Sequence, residues 1–287
     1  MKIVTDTGAD LPPEWLAQHG VAAIPLHITW ENGESADDIS RPAFYKRLAQ
    51  EQHPPKTSQP SVGELQSLYE AISADDPDII SIHISSGLSG TAQAARTAAG
   101  LAPQANITVV DALTLSGAQG WQVRAAVAAA EAGESRESIL DKVRRVREAT
   151  ETVYTLDTLH YLMLGGRIGR VRGAVGSFLN IKPLIAVEKE QGTYVQVGTG
   201  RGLKRAMRGL VDYMAQQVGE PKEILCQVMH AEAAELAERL KALVSQRFQV
   251  HWLPTGEISP VLGVHTGPGL VGLGFAPSAA LAGIDLA

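Results

Sequence analysis

Four short stretches of this 287-residue chain between them gather hydroxyls, glycines and cations, the residue types that hold and orient an anion. The first is Thr57-Ser58-Gln59-Pro60-Ser61. Ser61 with Glu64 fits a capping box for a helix starting near Val62, whereas Thr57 and Ser58 lie too far upstream to cap it. The second is Ser85-Ser86-Gly87-Leu88-Ser89-Gly90-Thr91, between the apolar run Ile79–Ile84 and the small-residue run Ala92–Ala99. A strand, a Ser/Gly turn and a helix start present N–H groups and hydroxyls at a positive helix end, which suits a carboxylate or a phosphate. A helix terminus that only packs against a sheet would read the same way. The glycine spacing and lysine of a P-loop are missing. The stretch is not a hydrolase nucleophile elbow either, because Thr91 rather than glycine stands two residues after Ser89.

The third stretch is Gly165-Gly166-Arg167-Ile168-Gly169-Arg170, with Arg172 close behind. Glycines around an arginine let the backbone bend and hold a guanidinium at a cleft for bidentate pairing, or else leave it as a solvated surface charge. The fourth is Gly263-Val264-His265-Thr266-Gly267-Pro268-Gly269, where a histidine set among turn residues is expected to line a cleft or face solvent. It could donate to an anion or shuttle a proton. Metal chemistry has less support. Asp37 and Asp38 are adjacent, and His53, His83, His160 and His230 are scattered without ligand spacing, so no metal site is expected. Asp6, followed by Thr7, is expected to order loops by accepting backbone N–H bonds. The lone Cys226 sits in the apolar run Ile224–Met229, which predicts a buried, inert thiol and excludes an internal disulfide or a Cys-rich zinc site.

The elements that must position these stretches follow from composition and periodicity. Lys+Arg 25 against Asp+Glu 31 gives 25 − 31 = −6, a mildly acidic balance that argues against nucleic acid as the main partner. Hydrophobic content of 45% with 20% charged residues is that of a globular chain. No stretch approaches the ~18 apolar residues of a membrane span, and Met1–Asp6 runs straight into strand-like sequence, so no stable membrane insertion and a cytoplasmic location are expected. Strand candidates are Ile3–Thr5, Val21–Ile28, Ile79–Ile84 and Ile107–Val110. Leu65, Leu68, Tyr69 and Ile72 share one helix face, and 118–132 and 135–149 read as two further helices. Strands alternating with helices predict βαβ units around a parallel sheet.

After Thr150 the pattern changes. Val153–Asp157 reads as a strand, Gly165–Gly176 as a glycine-rich segment, and 184–198 as a hairpin turning at Glu190-Gln191-Gly192. A further strand–helix–strand unit follows at Ile224–Met229, 231–247 and Gln249–Leu253. The expectation is two α/β domains, 1–150 (parallel-sheet, Rossmann-like) and 151–287, with the boundary near 148–153.

Taken together and in order, Val4-Thr5-Asp6-Thr7, Thr57-Ser58-Gln59-Pro60, Ser85–Thr91, Gly165-Gly166-Arg167, Lys182-Pro183 and His265–Gly269 resemble the DegV family of bacterial fatty-acid-binding proteins, over residues 3 to about 275. The resemblance implies a long-chain fatty acid in a tunnel between the two domains. It implies that Thr57 and Ser89 hold the carboxylate, with Ser58 and Gly90 as neighbouring donors. It further implies presentation of that carboxylate to a separate ATP-dependent kinase subunit that makes an acyl phosphate, with no activity of the chain alone and no cofactor beyond the bound lipid. Arg167 and His265 would then sit near the head group. Arg201, Lys204 and Arg205 would meet the kinase, with Lys204 and Arg208 on one face of a helix starting near Leu203. Ile24, Leu26, Ile28, Phe178, Leu179 and Ile181 fit either the tunnel lining or ordinary core. The residues alone leave a second reading open, a free-standing hydrolase or phosphotransferase using Ser89 and His265, although no complete nucleotide motif is present.

Overall fold

In the computed structural model, which describes residues 1–37, 39–51, 53–167, 181–219 and 223–286, the first half of the chain builds a parallel sheet. Its elements are β1 (Lys2–Asp6), α1 (Pro13–Gln18), β2 (Ala22–Ile24), β3 (His27–Thr29), α2 (Arg41–Leu48) and β4 (Lys56–Ser58), then α3 (Val62–Ser73), β5 (Asp78–His83), α4 (Thr91–Gly100), β6 (Asn106–Asp111), α5 (Ser116–Glu131) and α6 (Arg136–Ala149). The strand order is β2-β1-β5-β6, every neighbour parallel. Side chains alternate across a strand, so Ile3, Ile80 and Ile82 pack with α5 and α6 residues such as Val123 and Val143. Val4, Ile24 and Ile79 pack on the other face with Leu65, Tyr69 and the alanines of α4. Both faces are covered, as a parallel sheet requires. Ser61 caps α3 with the expected capping box to Glu64, and Ser135 caps α6.

The span Val21–Ile28 is not one strand. Pro25 has no N–H to donate and separates β2, at the edge of the parallel sheet, from β3, which pairs antiparallel with β4 in a separate ribbon. The Leu26 amide just past this break is taken by Thr7 Oγ1 at 3.0 Å.

The second half runs β7 (Glu151–Thr155), α7 (His160–Leu164), β8 (Ile181–Val187), β9 (Tyr194–Arg201), α8 (Leu203–Val218) and β10 (Glu223–His230). It continues with α9 (Ala234–Ser245), β11 (Gln249–Trp252), β12 (Gly256–Glu257), α10 (Pro260–Thr266) and β13 (Val271–Pro277). These strands form a second, mixed sheet in the order β11-β10-β13-β7-β8-β9, with β12 also on β10. The β8–β9 hairpin is present, with Val187 opposite Tyr194, and β10, α9 and β11 make the expected strand–helix–strand unit. One face of this sheet buries Val153, Leu184, Ile224 and Phe275 against α8 and α9, and Cys226 is fully buried there, which pushes its thiol well up. The opposite face carries Tyr154, Ile185, Tyr194 and Met229. It meets Leu26, Ile28, Ile84, Leu88 and Leu115 from the first half, together with α2 and α10, in one core between the sheets.

Among the described residues, no helix is long and apolar enough to cross a membrane. Leu26 and Ile28 do face the core between the sheets, but Ile24 packs on the far side of the parallel sheet and Ile181 is exposed. Phe178 and Leu179 lie outside the described residues, as do Asp38, Ile168, Gly169, Arg170, Arg172 and the rest of the glycine-rich segment to Gly176.

Candidate functional site

Thr57 is the middle residue of β4, held by its pairing with Ile28, and its hydroxyl lies 2.8 Å from His265 Nε2. His265 is not in a loop, as its glycine-rich surroundings predict, but in the last turn of α10, which Gly267 ends in the left-handed region at φ +72°. Its ring is pressed against Gly165, where any Cβ would collide with Nδ1. That close approach explains the first glycine of the Gly165-Gly166-Arg167 stretch. Arg167 donates to the Gly165 carbonyl at 2.8 Å. Burial, with the Arg167 charge adding to it, pushes the His265 imidazole down to about 3, so the ring is neutral at pH 7.

The ring's proton can be assigned from its surroundings. His265 Nδ1 is buried with no hydrogen-bond partner among the described residues. An orphaned buried N–H is rarer and costlier than an under-used acceptor, so the proton belongs on Nε2. Nε2–H then donates to Thr57 Oγ1, which leaves the Thr57 hydroxyl proton available to another acceptor.

The second hydroxyl comes from the turn between β5 and α4. The Ser85 carbonyl accepts from the amides of Leu88 and Ser89, which folds the turn back on itself. The Ser85 hydroxyl donates across to the Gly192 carbonyl of the β8–β9 turn at 2.8 Å, tying the two halves of the chain together. Ser89 Oγ lies 2.8 Å from Thr91 Oγ1 on the buried first residue of α4. Gly90 is the N-cap of α4, and the Gln59 side chain occupies the place of a Cβ there, which locks the first hydroxyl stretch onto the second.

Thr57, Ser58, Ser89, Gly90, Arg167 and His265 all line one pocket of about 400 Å³. Its apolar lining includes Tyr194 and Leu262, which no motif in the sequence singles out. The same two residues line an apolar cavity of about 40 Å³ between the sheets. The polar pocket and the apolar cavity therefore share a wall. Tyr194 lies two residues beyond the expected turn, but nothing local in the sequence marks it as cleft-lining.

Ser89 and His265 are hydrogen-bonded to Thr91 and Thr57 rather than to each other, so the nucleophile–base pair of a free-standing hydrolase is not assembled. An Asp–His–Ser chain does exist elsewhere. His83 Nδ1 lies 3.0 Å from Asp6, and its Nε2 lies 2.7 Å from Ser81 Oγ, but all three side chains are buried with essentially no exposure. Its role is to hold loops, as anticipated for Asp6, whose carboxylate also accepts the Gly8 and Ile84 amides. Asp37 gives its carboxylate to His27 and to the Ile28 amide. Arg201, Lys204, Arg205 and Arg208 lie outside the pocket. All four are exposed, at the end of β9 and on the first turns of α8, and none is in an ion pair among the described residues.

The DegV family model, whose members it describes as uncharacterised proteins, matches residues 1–278. A DegV domain-containing protein of Deinococcus radiodurans is 35% identical over 278 residues, 96% of this chain and 96% of its own length. Among solved structures, a DegV family protein from Thermus thermophilus described by its fatty acid binding superposes with a TM-score of 0.86 at 28% identity, over 96% of this chain and 99% of that one. A stearic acid-binding protein from Eubacterium ventriosum superposes with a TM-score of 0.81 at 26% identity, over 96% and 98%.

Proposed function

The chain belongs to the DegV family, and we propose that it binds one long-chain fatty acid between two units, residues 1–150 and 151–287, and has no catalytic activity alone. The observation that carries this reading is the wall shared, at Tyr194 and Leu262, by a hydroxyl-lined pocket and an apolar cavity. A fatty acid has the same division of polarity. At ~0.8 kcal/mol per buried CH₂, the chain supplies most of the affinity and the hydroxyls of Thr57 and Ser89, with Ser58 and the Gly90 amide beside them, set the orientation. Relatives of similar fold described by fatty acid or stearic acid binding support the ligand class. Protein purified without added lipid and extracted into organic solvent is expected to release close to one long-chain fatty acid per chain, read by mass spectrometry. Ester hydrolysis that disappears in Ser89→Ala would establish the enzyme reading instead.

The finer part of the proposal is presentation of the carboxylate to a separate ATP-dependent kinase subunit, which transfers a phosphoryl group to a carboxylate oxygen. Hydroxyl donors suit this, because they hold the carboxylate without a tight ion pair that would blunt its attack. A neutral His265 leaves Arg167 as the cation beside the head group, where the added charge of an acyl phosphate gains more from it than a carboxylate does. Arg201, Lys204 and Arg205 are the proposed docking residues. Lys204 and Arg205 stand in the first turn of α8 with no acidic residue there, against the positive end of the helix dipole. That placement costs the helix some stability and suits an acidic partner surface that steers association. Charge reversal at Arg201 and Lys204 should slow acyl-phosphate formation about tenfold or more at low salt while leaving the bound lipid in place. Normal kinase support by the reversed variant would make the patch a solvated face only.

A further inference from the structure

One wall of the apolar cavity is formed by a flexible side chain with a second cleft behind it. This cleft, of about 520 Å³, opens on the other side and is lined by charged and polar groups, among them Asp10, Arg41, Arg124, Gln227 and His230. Gly117 lines both the cleft and the apolar cavity. Between them lies Met229 of β10, 5% exposed. Its ladder neighbours are glycines on both sides, Gly256 of β12 and Gly272 of β13. A Cβ on Gly117 would stand 3.0 Å from the Met229 sulfur, and one on Gly256 would collide with both Sδ and Cε. The thioether therefore fills the space that side chains at 117 and 256 would take, and it forms the partition between an apolar space and a polar one.

We propose that Met229 is a movable stopper that ends the acyl cavity and sets the longest fatty acid the protein accepts. The inference rests on the fatty-acid reading above and adds the residue that determines specificity by length. Methionine is unbranched, with several rotatable bonds and a polarizable sulfur, and fills irregular gaps by changing rotamer. It is bordered here by Gly117, Gly256 and Gly272 as well as by the apolar side chains of the core between the sheets, and the glycines leave its outer atoms without a side chain packed behind them. At about 40 Å³ the cavity is smaller than an acyl chain, so its walls must shift as it fills, and the two glycines packed against the Met229 thioether, Gly117 and Gly256, both line the cleft behind it. Methylenes up to the stopper gain from burial. Those pushed past it would meet Asp10, Arg41 and Arg124 and gain little.

The test is the affinity of the full-length protein for a series of saturated acids from about 12 to about 22 carbons, read by competition with a fluorescent fatty acid. In the wild type, affinity should rise with length and then stop rising. Met229→Ala removes Cγ, Sδ and Cε, and the break should move outward by about two carbons. The acid two carbons past the wild-type break should then bind roughly 15-fold more tightly than it does to the wild type, the value of two methylenes at ~0.8 kcal/mol each. Gly256→Ala should move the break the other way, because its new methyl group pushes the thioether into the cavity. Met229→Leu conserves volume and should keep the wild-type profile. A wild-type profile reproduced unchanged in both Met229→Ala and Gly256→Ala overturns the stopper while leaving fatty-acid binding intact. A wild type that binds none of the acids overturns both.

Discussion

Exchanging Thr57 for valine should weaken fatty-acid binding roughly 10- to 150-fold, the loss of ~1.5–3 kcal/mol for a hydrogen bond to a charged group. Valine keeps the shape of threonine and its β-branched fit to β4, so the change isolates the hydroxyl. It also strips His265 Nε2–H of its acceptor, which the partly buried site cannot replace with water at no cost. Ser89→Ala should act in the same direction, and Thr57→Ser should retain most of the affinity because the hydroxyl remains. Since His265 is held neutral with its imidazole pushed down to about 3, affinity should stay flat between about pH 6 and 8 rather than fall as an imidazolium is lost. Unchanged affinity in both Thr57→Val and Ser89→Ala, measured by titration, would remove the carboxylate from these hydroxyls. A steep decline across that pH range would restore a charged histidine to the site.

The parts of this site that are local in sequence are legible there. The Ser85–Thr91 turn announces itself because an apolar strand, a Ser/Gly turn and a small-residue helix follow one another within a few residues. Ser61 and Glu64 identify the start of α3 by the same local logic. What the sequence hides is distance and disguise. Thr57 and His265 meet across 208 positions, and no spacing rule reaches that far. α10 reads as a loop because Pro260, Gly263 and Gly267 surround His265, yet Pro260 sits in the first turn, where a missing N–H costs nothing. Gly263 is glycine because the Tyr45 ring lies where its Cβ would be. β13 is hidden in the same way. Gly272 weakens the strand signal, but it makes room for Tyr154 on the neighbouring strand, 2.6 Å from where a Cβ would stand. Glycines that read as turns are here the marks of close packing between elements. Met229, between Gly117 and Gly256, belongs to the same class.

Asp6→Ala should be the most destabilising of the changes considered, at roughly 3–5 kcal/mol, because it removes the centre of a buried network rather than one member at its edge. Asp6 ends β1. One carboxylate oxygen accepts the Gly8 amide at 2.9 Å and Gln119 Nε2 at 3.2 Å, and the other accepts the Ile84 amide at 2.9 Å and faces His83 Nδ1 at 3.0 Å. His83 reaches Ser81, and Ser81 reaches the Tyr69 hydroxyl at 2.9 Å, so strands β1 and β5 and helices α3 and α5 are all joined through this carboxylate. Removing it leaves several buried donors without an acceptor, each worth ~1–3 kcal/mol when orphaned. Asn is no remedy, since its NH₂ would have to face one pair of donors. The Ile84 amide is the step from β5 into the Ser85 turn, so the same carboxylate that stabilises the sheet fixes the base of the loop carrying Ser89. Urea unfolding should therefore show a midpoint lowered in Asp6→Ala with the slope retained. His83→Ala, which leaves the two backbone amides satisfied, should cost less. A loss below about 1 kcal/mol in Asp6→Ala would mean that water replaces the carboxylate and that the turn is held by its own hydrogen bonds alone.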